Sequence, residues 1–264
     1  MRNYMKKAAF FDVDGTLIDC TIGIMDISDR VKKAIKDFQK AGNVAFVSSG
    51  RPYAFLNKEL LNFGFDGFVL GNGAQVLIND ETKFFSGIDK ELVKEVVSNC
   101  ERLNIDYCLQ GPKYSYLKED FTRILEYYKG YGVTRDFLEF NFDLDDVDVF
   151  KIEMFPADEE GCKYCESLDQ GEFNCFKNYP GEVYEMYPVK NSKGTGLLKT
   201  IELEGVELKD SYAFGDGRND IEMIQTAAHG IAMGNAVPEL KEVANEFTDA
   251  IADDGIATYL EKML

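Results

Sequence analysis

Histidine is almost missing from this sequence of 264 residues: His229 is the only one. Positive charge is also scarce, with 29 lysines and arginines against 47 acids and a formal net charge of −18. Such a field repels polyphosphate, so a general affinity for nucleic acid or an anionic membrane is excluded. The same deficit requires any phosphate-ester substrate to find a local cluster of positive charge. No apolar run has the length of a membrane span, and none near the N-terminus that of a signal peptide, so a cytoplasmic protein is expected. Six cysteines are scattered, and only Cys162 and Cys165 have C-x-x-C spacing. A zinc site would need two further ligands, and His229 is far away in sequence. Cys162, Cys165 and Leu168 share one helical face, so they read as a core stripe, and all six thiols are expected to be reduced. No internal repeat or low-complexity segment is present.

What is there is organised around the stretch from Ala8 to Asp19. Ala8, Ala9, Phe10 and Phe11 read as a buried strand that ends abruptly in Asp12 and Asp14, followed by Gly15 and Thr16. Carboxylates beside an apolar interior are costly unless a metal or a basic side chain pairs with them. Two acids at i and i+2 leave a strand on the same side and can converge on one point.

Ser28 is placed to cap a helix carrying Val31, Ala34, Ile35 and Phe38, which stops at Gly42. A second buried strand, Val44 to Val47, runs into Ser48, Ser49, Gly50, Arg51 and Pro52. Strand, helix, strand in that order joins parallel strands, so both end at one edge of the sheet. A third short strand, Phe68 to Leu70, precedes a tight turn at Asn72 and Gly73. From Thr82 to Tyr187 the texture changes. Ile105, Tyr107 and Leu109 alternate like a half-exposed strand, as do Phe150, Ile152 and Met154. Helices are expected over Lys90 to Leu103, with Leu92, Val93, Val96, Val97 and Cys100 buried, around Phe121 to Tyr128, and around Cys162 and Cys165. A hairpin is expected from Phe173 through Gly181 to Tyr187. Alternating strands imply a sheet with one covered face and one free face. The acids from Asp143 to Asp148 read as a solvated loop, and the tyrosines at 114, 116, 127, 128 and 131 as core or rim. The parallel texture then resumes, with a helix after Lys193, a strand from Ser211 to Phe214 ending in Gly215–Asp220, and a short strand from Ile231 to Met233. The fold class expected is α/β: a Rossmann-like doubly wound parallel sheet (1–81 plus 187–264) with an inserted α/β domain (82–186).

Three buried strands thus end in chemistry, at Asp12 and Asp14, at Ser49, and at Asp216 and Asp220. Lys193 joins them from a helix start, where a cation opposes the helix dipole at about a few tenths of a kcal/mol and an anion at the same place explains it. Two or three carboxylate oxygens suit a hard cation such as Mg2+. Asp12 is placed to attack phosphorus, and Asp14 to protonate the departing alkoxide and later take a proton from water, which requires an environment that favours its neutral form. Ser49 and the backbone N–H groups at Gly50 and Arg51 would hold phosphoryl oxygens, and Lys193 would offset charge built up in transfer. Asp216 completes the metal site. Asp220 either joins the metal or orients a bound water or Lys193.

These residues, Asp12-Val-Asp14-Gly-Thr, Ser49-Gly-Arg51, Lys193 and Gly215-Asp-Gly-Arg-Asn-Asp220, resemble the four motifs of the haloacid dehalogenase superfamily, in particular its Cof-type (IIB) phosphatases. The resemblance extends to Leu70–Ala74 and Ala232–Ala236 and so spans the whole core. It implies Mg2+-dependent hydrolysis of small phosphate monoesters, often sugar phosphates, through an aspartyl phosphate, with the insert as a C2-type cap. It also implies that the backbone carbonyl of Asp14 binds the metal and that Asn219 contacts the phosphoryl group. The second motif commonly has threonine before Gly-Arg. Here Ser48 and Ser49 stand together, Ser49 being chosen by register and Ser48 the alternative. A phosphomutase on the same chemistry and a phospho-accepting binding module are the competing functions. The partner expected is a small phosphorylated metabolite, with no nucleic acid or membrane, and a monomer or homodimer.

Overall fold

The computed structural model describes residues 6–130, 132–178 and 183–263. Five strands come first: β1 (Ala8–Phe11), β2 (Val44–Ser48), β3 (Gly67–Leu70), β4 (Gln75–Ile78) and β5 (Glu81–Phe85). The insert supplies β6 (Asp106–Gln110), β7 (Ser115–Tyr116), β8 (Leu138–Glu139), β9 (Lys151–Phe155), β10 (Phe173–Asn178) and β11 (Val183–Pro188). The chain then returns through β12 (Ser211–Gly215), β13 (His229–Ala232) and β14 (Glu246–Phe247). Nine helices accompany them among the described residues: α1 (Asp29–Lys40), α2 (Lys58–Asn62), α3 (Lys90–Arg102), α4 (Thr122–Gly130), α5 (Glu159–Ser167), α6 (Lys193–Glu204), α7 (Ile221–Thr226), α8 (Pro238–Val243) and α9 (Gly255–Leu260).

The first compact unit holds an eight-stranded sheet in the order β14-β13-β12-β1-β2-β3-β4-β5. Strands β14 to β3 in that order are parallel, and β4 runs antiparallel to β3. Every residue of β1, β2, β3 and β12 is buried, as strands covered on both faces must be. Phe10, Phe46 and Ala213 share a core with Leu197 and Ile201 of α6 and Met223 and Ile224 of α7. On the opposite face the Phe214 ring meets Tyr259 of α9 at 5.3 Å, and α9 packs on α1. Helix α1 starts at Ser28, whose hydroxyl accepts from Val31 N–H, and buries Val31, Ala34, Ile35 and Phe38. Strand β1 has β2 on one side and β12 on the other, and the connections that follow them part in opposite directions. A doubly wound sheet opens its crevice at the carboxyl ends of such a pair. The expected Rossmann-like core is therefore present, with an antiparallel edge at β4 and β5.

The second unit comprises residues 51–57 and 85–191. Its sheet has the order β10-β11-β9-β6-β7-β8, antiparallel except between β7 and β8. Tyr107, Leu109, Ile152, Met154, Tyr184 and Met186 face a core with Val93, Val96 and Val97 of α3 and Cys165 of α5. Cys108, Phe155 and Val183 face the other way, against Ile124 and Tyr128 of α4. This second face is a correction: a half-exposed β6 with a free outer face was expected, yet Tyr107 through Gln110 are all buried. Apolar alternation on one face says nothing about a helix that returns over the other, and α4 does so here.

The insert's boundaries also differ from 82 and 186. Strand β5 runs to Phe85, so the chain leaves the first sheet later than its composition changes. Residues 51–57 group with the insert because Phe55 packs on Tyr128 at 4.6 Å and Tyr53 edge-on to Phe137 at 5.2 Å. Leu92 is half-buried rather than core. The cysteines are free, with Cys165 buried and Cys162 and Leu168 packed beside it. Asp143, Asp145, Asp146 and Asp148 are exposed, as expected of a solvated loop. The hairpin turn at Gly181 and Tyr131 lie outside the described residues. No described helix is long and apolar enough to cross a membrane.

Gly73 shows how tightly the first unit holds its helix start. Its φ is +88°, and a Cβ there would lie 2.0 Å from the Ser192 carbonyl oxygen. Gly42 has a φ of +91° but nothing within 4 Å. Gly42→Ala is expected to cost only about 1–2 kcal/mol for the left-handed backbone. Gly73→Ala is expected to cost more than Gly42→Ala, because it must also push back the start of α6; urea unfolding of both variants measures the difference.

Candidate active site

Asp12 follows the last residue of β1, and its backbone N–H donates to the Phe214 carbonyl at 3.0 Å, continuing the ladder to β12 by one step. Asp216 follows the last residue of β12 in the same way. Adjacent parallel strands thus deliver two carboxylates side by side. Asp220 lies on the turn that begins α7, and ligand-capable oxygens of Asp12, Asp216 and Asp220 all fall within 4.8 Å of one another.

Lys193 is the first residue of α6, where Ser192 and Thr195 form a reciprocal capping box. Gly194 and Gly196 let that turn sit flush: a Cβ on Gly194 would lie 2.9 Å from the Glu222 carbonyl, and one on Gly196 2.4 Å from a Val69 methyl. The Lys193 side chain has no exposed surface, and its Nζ donates to Asp12 Oδ1 and, at 2.6 Å, to Asp220 Oδ1. Asp220 Oδ2 accepts from the backbone N–H groups of Asp216 at 3.0 Å and Gly217 at 2.9 Å. Both oxygens of Asp220 are therefore committed, which suits a residue that orients Lys193 better than one that binds a metal directly.

Asp216 is held from the other side. Thr16 Oγ1 donates to Asp216 Oδ1 at 2.8 Å. Gly15, at φ +91°, lies so close that a Cβ would meet Asp216 Oδ2 at 2.1 Å. The turn that places Gly15 and Thr16 is closed by Leu17 and Ile18 N–H donating to the Val13 carbonyl, both at 3.0 Å. Asn235, which follows β13, donates to the Gly15 carbonyl at 2.7 Å and accepts from Ile251 N–H at 2.9 Å. Thr16 and Asn235 were not singled out as site residues, although both lie in stretches read from the sequence. Their roles depend on contacts 200 and 220 residues apart.

Burial sets the charge balance. Asp12 is pushed well above the ordinary carboxylate range by burial and by repulsion from Asp220, with Lys193 pulling the other way. Asp216 is raised to about 6, first by burial, against the Thr16 hydrogen bond. Burial also works against the charge of Lys193, but Asp12 and Asp220 outweigh it and hold the ammonium protonated. Three carboxylates thus face one ammonium, a set short of positive charge. Asp12 and Asp216 each have one oxygen engaged by Lys193 or Thr16, and an all-oxygen carboxylate set is what a hard divalent cation takes. The residues fit such an ion.

The remaining expected residues fall out differently. Asp14 is exposed, so the desolvation expected there falls on Asp12 instead. Ser49 is buried past the end of β2, its N–H bonded to the Val69 carbonyl at 2.8 Å and its carbonyl accepting from Asn72 N–H at 3.1 Å. That backbone N–H is used by the sheet rather than left for a ligand. Ser48, the alternative, is fully buried and its hydroxyl has no hydrogen-bond partner. Gly50 ends the first segment of the first unit, beside Asn72. Arg51 groups with the insert, where its guanidinium donates to the Phe55 carbonyl at 3.1 Å. Asn219 is exposed on the turn before α7.

The chain is similar to several known proteins along nearly its whole length. A phosphoglycolate phosphatase of Methanosarcina acetivorans is 28% identical over 97% of this chain and 95% of its own. The 5-amino-6-(5-phospho-D-ribitylamino)uracil phosphatase YitU of Bacillus subtilis is 27% identical over 95% of both chains. Among solved structures, a protein of Geobacillus kaustophilus superposes with a TM-score of 0.86 at 25% identity, covering 98% of both chains. The subclass IIB sugar phosphatase BT4131 of the same superfamily superposes at 0.77 and 25% identity, over 98% of this chain and 99% of its own. The model of the haloacid dehalogenase-like hydrolase family matches residues 9–260, and the chain belongs to that family.

Proposed function

We propose that this chain is a Mg2+-dependent phosphatase that hydrolyses small phosphate monoesters through an aspartyl phosphate on Asp12. The carrying observation is the buried Asp12–Lys193–Asp220 chain with Asp216 beside it, since a nucleophile and a fixed cation at one strand end are what in-line attack on a phosphoryl dianion needs. The relatives named above are phosphatases, which supports the same reading.

In the proposed sequence, a carboxylate oxygen of Asp12 attacks phosphorus and the bond to the alcohol oxygen breaks. Asp14 donates the proton that the departing alkoxide takes up. A water then loses its proton to Asp14 and attacks phosphorus, releasing inorganic phosphate and restoring Asp12. Lys193 neutralises Asp12 before attack and the phosphoryl oxygens afterwards, and Asp220 keeps it aimed. Ser49 holds a phosphoryl oxygen, with Gly50 and Asn219 as further contacts. Mg2+, held by Asp12, Asp216 and the Asp14 carbonyl, would shield the nucleophile from the negative charge of the phosphate. The substrate is a small phosphorylated metabolite, with neither nucleic acid nor membrane as partner.

Asp12→Asn keeps shape and removes a buried charge, so it is expected to fold while phosphate release falls by roughly a thousandfold or more. Phosphate-release rates, with circular dichroism as a folding control, check this; retained activity removes Asp12 as nucleophile. Lys193→Met leaves two buried carboxylates unpaired and is expected to cost about 3–5 kcal/mol in urea unfolding.

A third expectation concerns pH. Asp216 moves from an ordinary 3.8 to about 6 in the fold, so between those values the folded chain binds more protons than the unfolded one. The stability this group contributes is present at low pH and is lost as pH rises toward and through 6. Millimolar Mg2+ relieves the exposed repulsion and is expected to raise the thermal midpoint more at pH 7 than at pH 5, with EDTA abolishing the difference. An equal shift at both values would separate Asp216 from the ion.

A further inference from the structure

The loop that joins β3 to β4 lies between two parts of the candidate site. Gly71, Asn72 and Gly73 have φ of +58°, +54° and +88°, the longest left-handed run among the described residues. On one side the Asn72 N–H donates to the Ser49 carbonyl at 3.1 Å, and the Ser49 N–H donates back to the Val69 carbonyl at 2.8 Å. The end of β3 and its loop thus grip both backbone groups of Ser49. On the other side Gly73 lies against the carbonyl of Ser192, the residue before Lys193, and a Cβ on Gly196 would lie 2.8 Å from the Gly73 Cα. The loop therefore reaches from the turn at Ser49 and Gly50 to the start of α6, where the buried ammonium is mounted.

The backbone of this loop does not account for the side chain of Asn72. A hairpin connection uses left-handed residues, and glycine adopts that conformation freely, as it does at 71 and 73. Asparagine in the same conformation is strained. Asn72 is also 8% exposed, and its amide carbonyl has no hydrogen-bond partner, which is a second cost. Glycine at 72 would remove both. What the side chain does meet is Gly50: a Cβ there would lie 2.9 Å from Asn72 Oδ1 and 3.5 Å from its Cγ. Gly50 is outside the left-handed region, so the crowding at this glycine comes from the Asn72 amide and not from its own backbone.

We infer that Asn72 is a positioning residue for phosphoryl binding: its backbone holds Ser49, its amide seats on Gly50, and the turn is thereby fixed at a set distance from Lys193. Local strain persists where the surroundings over-determine it and clusters at sites that need fixed geometry. Without the amide, the Ser49–Gly50 peptide can tilt into the space left behind. Donors displaced by about 1 Å lose much of their value to a phosphoryl group.

The inference rests on the phosphatase reading for placing the phosphoryl group at Ser49 and Gly50. Its test compares the full-length wild type, Asn72→Gly, Gly50→Ala and the double variant. Titration calorimetry with inorganic phosphate and Mg2+ reads the site without turnover, and hydrolysis of p-nitrophenyl phosphate gives kcat and KM. Asn72→Gly is expected to bind phosphate about tenfold more weakly and to lose about tenfold in kcat/KM. Its thermal midpoint is expected to stay level or rise, and the shift on adding Mg2+ alone to be unchanged, since the carboxylates are untouched. Gly50→Ala is expected to weaken phosphate binding by pushing the amide aside. In the double variant the new methyl takes the space that the amide has left, so phosphate is expected to bind at least about threefold more tightly than in either single variant. Unchanged phosphate affinity in Asn72→Gly, a marked fall in its midpoint, or a double variant no better than the singles overturns the role. A wild type that binds phosphate but releases none from esters sinks the phosphatase reading and leaves the binding comparison to judge Asn72. A wild type that does neither overturns both.

Discussion

The first unit depends on one buried ammonium. Lys193 has no exposed surface, and a lone lysine in such a place would lose its proton or its fold. It keeps both because Asp12 and Asp220 flank it and accept its hydrogen bonds. Three elements must arrive together for this to work: the end of β1, the start of α6 and the turn before α7. The packing around them serves that meeting. Gly73 admits the Ser192 carbonyl, Gly194 and Gly196 admit their neighbours, and Gly15 admits the Asp216 carboxylate.

Two tiers of hydrogen bonds hold the acids at different levels of freedom. Asp220 is fixed by Lys193 and two backbone N–H groups, so it acts through the lysine. Asp216 is held by Thr16 on one oxygen, and Thr16 is held by the turn that Asn235 ties to the segment beginning at Ile251. A divalent cation entering this set would meet carboxylates already oriented, and the repulsion among them favours its entry.

The insert solves a different problem. Its sheet is sealed on one face by α3 and α5 and approached on the other by α4, so it has an apolar core on one side and a mixed one on the other. Segment 51–57 joins it through Phe55 and Tyr53, although it lies just beyond the second strand of the first unit's sheet. Composition does not show such a detour: an aromatic pair 73 residues apart decides it.

Much was legible in the residues alone. The unbroken apolar runs of β1, β2 and β12 announced a parallel sheet covered on both faces, and their polar ends announced where its crevice would open. Ser28 and Gly42 marked helix ends locally, because capping is satisfied within a few residues. Asp12, Lys193 and Asp216 could be grouped because each sits at an element's terminus. The tertiary structure alone decided that Asp220 spends both oxygens on positioning, that Asp12 and not Asp14 bears the desolvation, and that β6 is buried on its second face. Those outcomes follow from which atoms meet across long sequence separations, and periodicity, which reports only a residue's side of its own element, carries no information about what arrives from elsewhere.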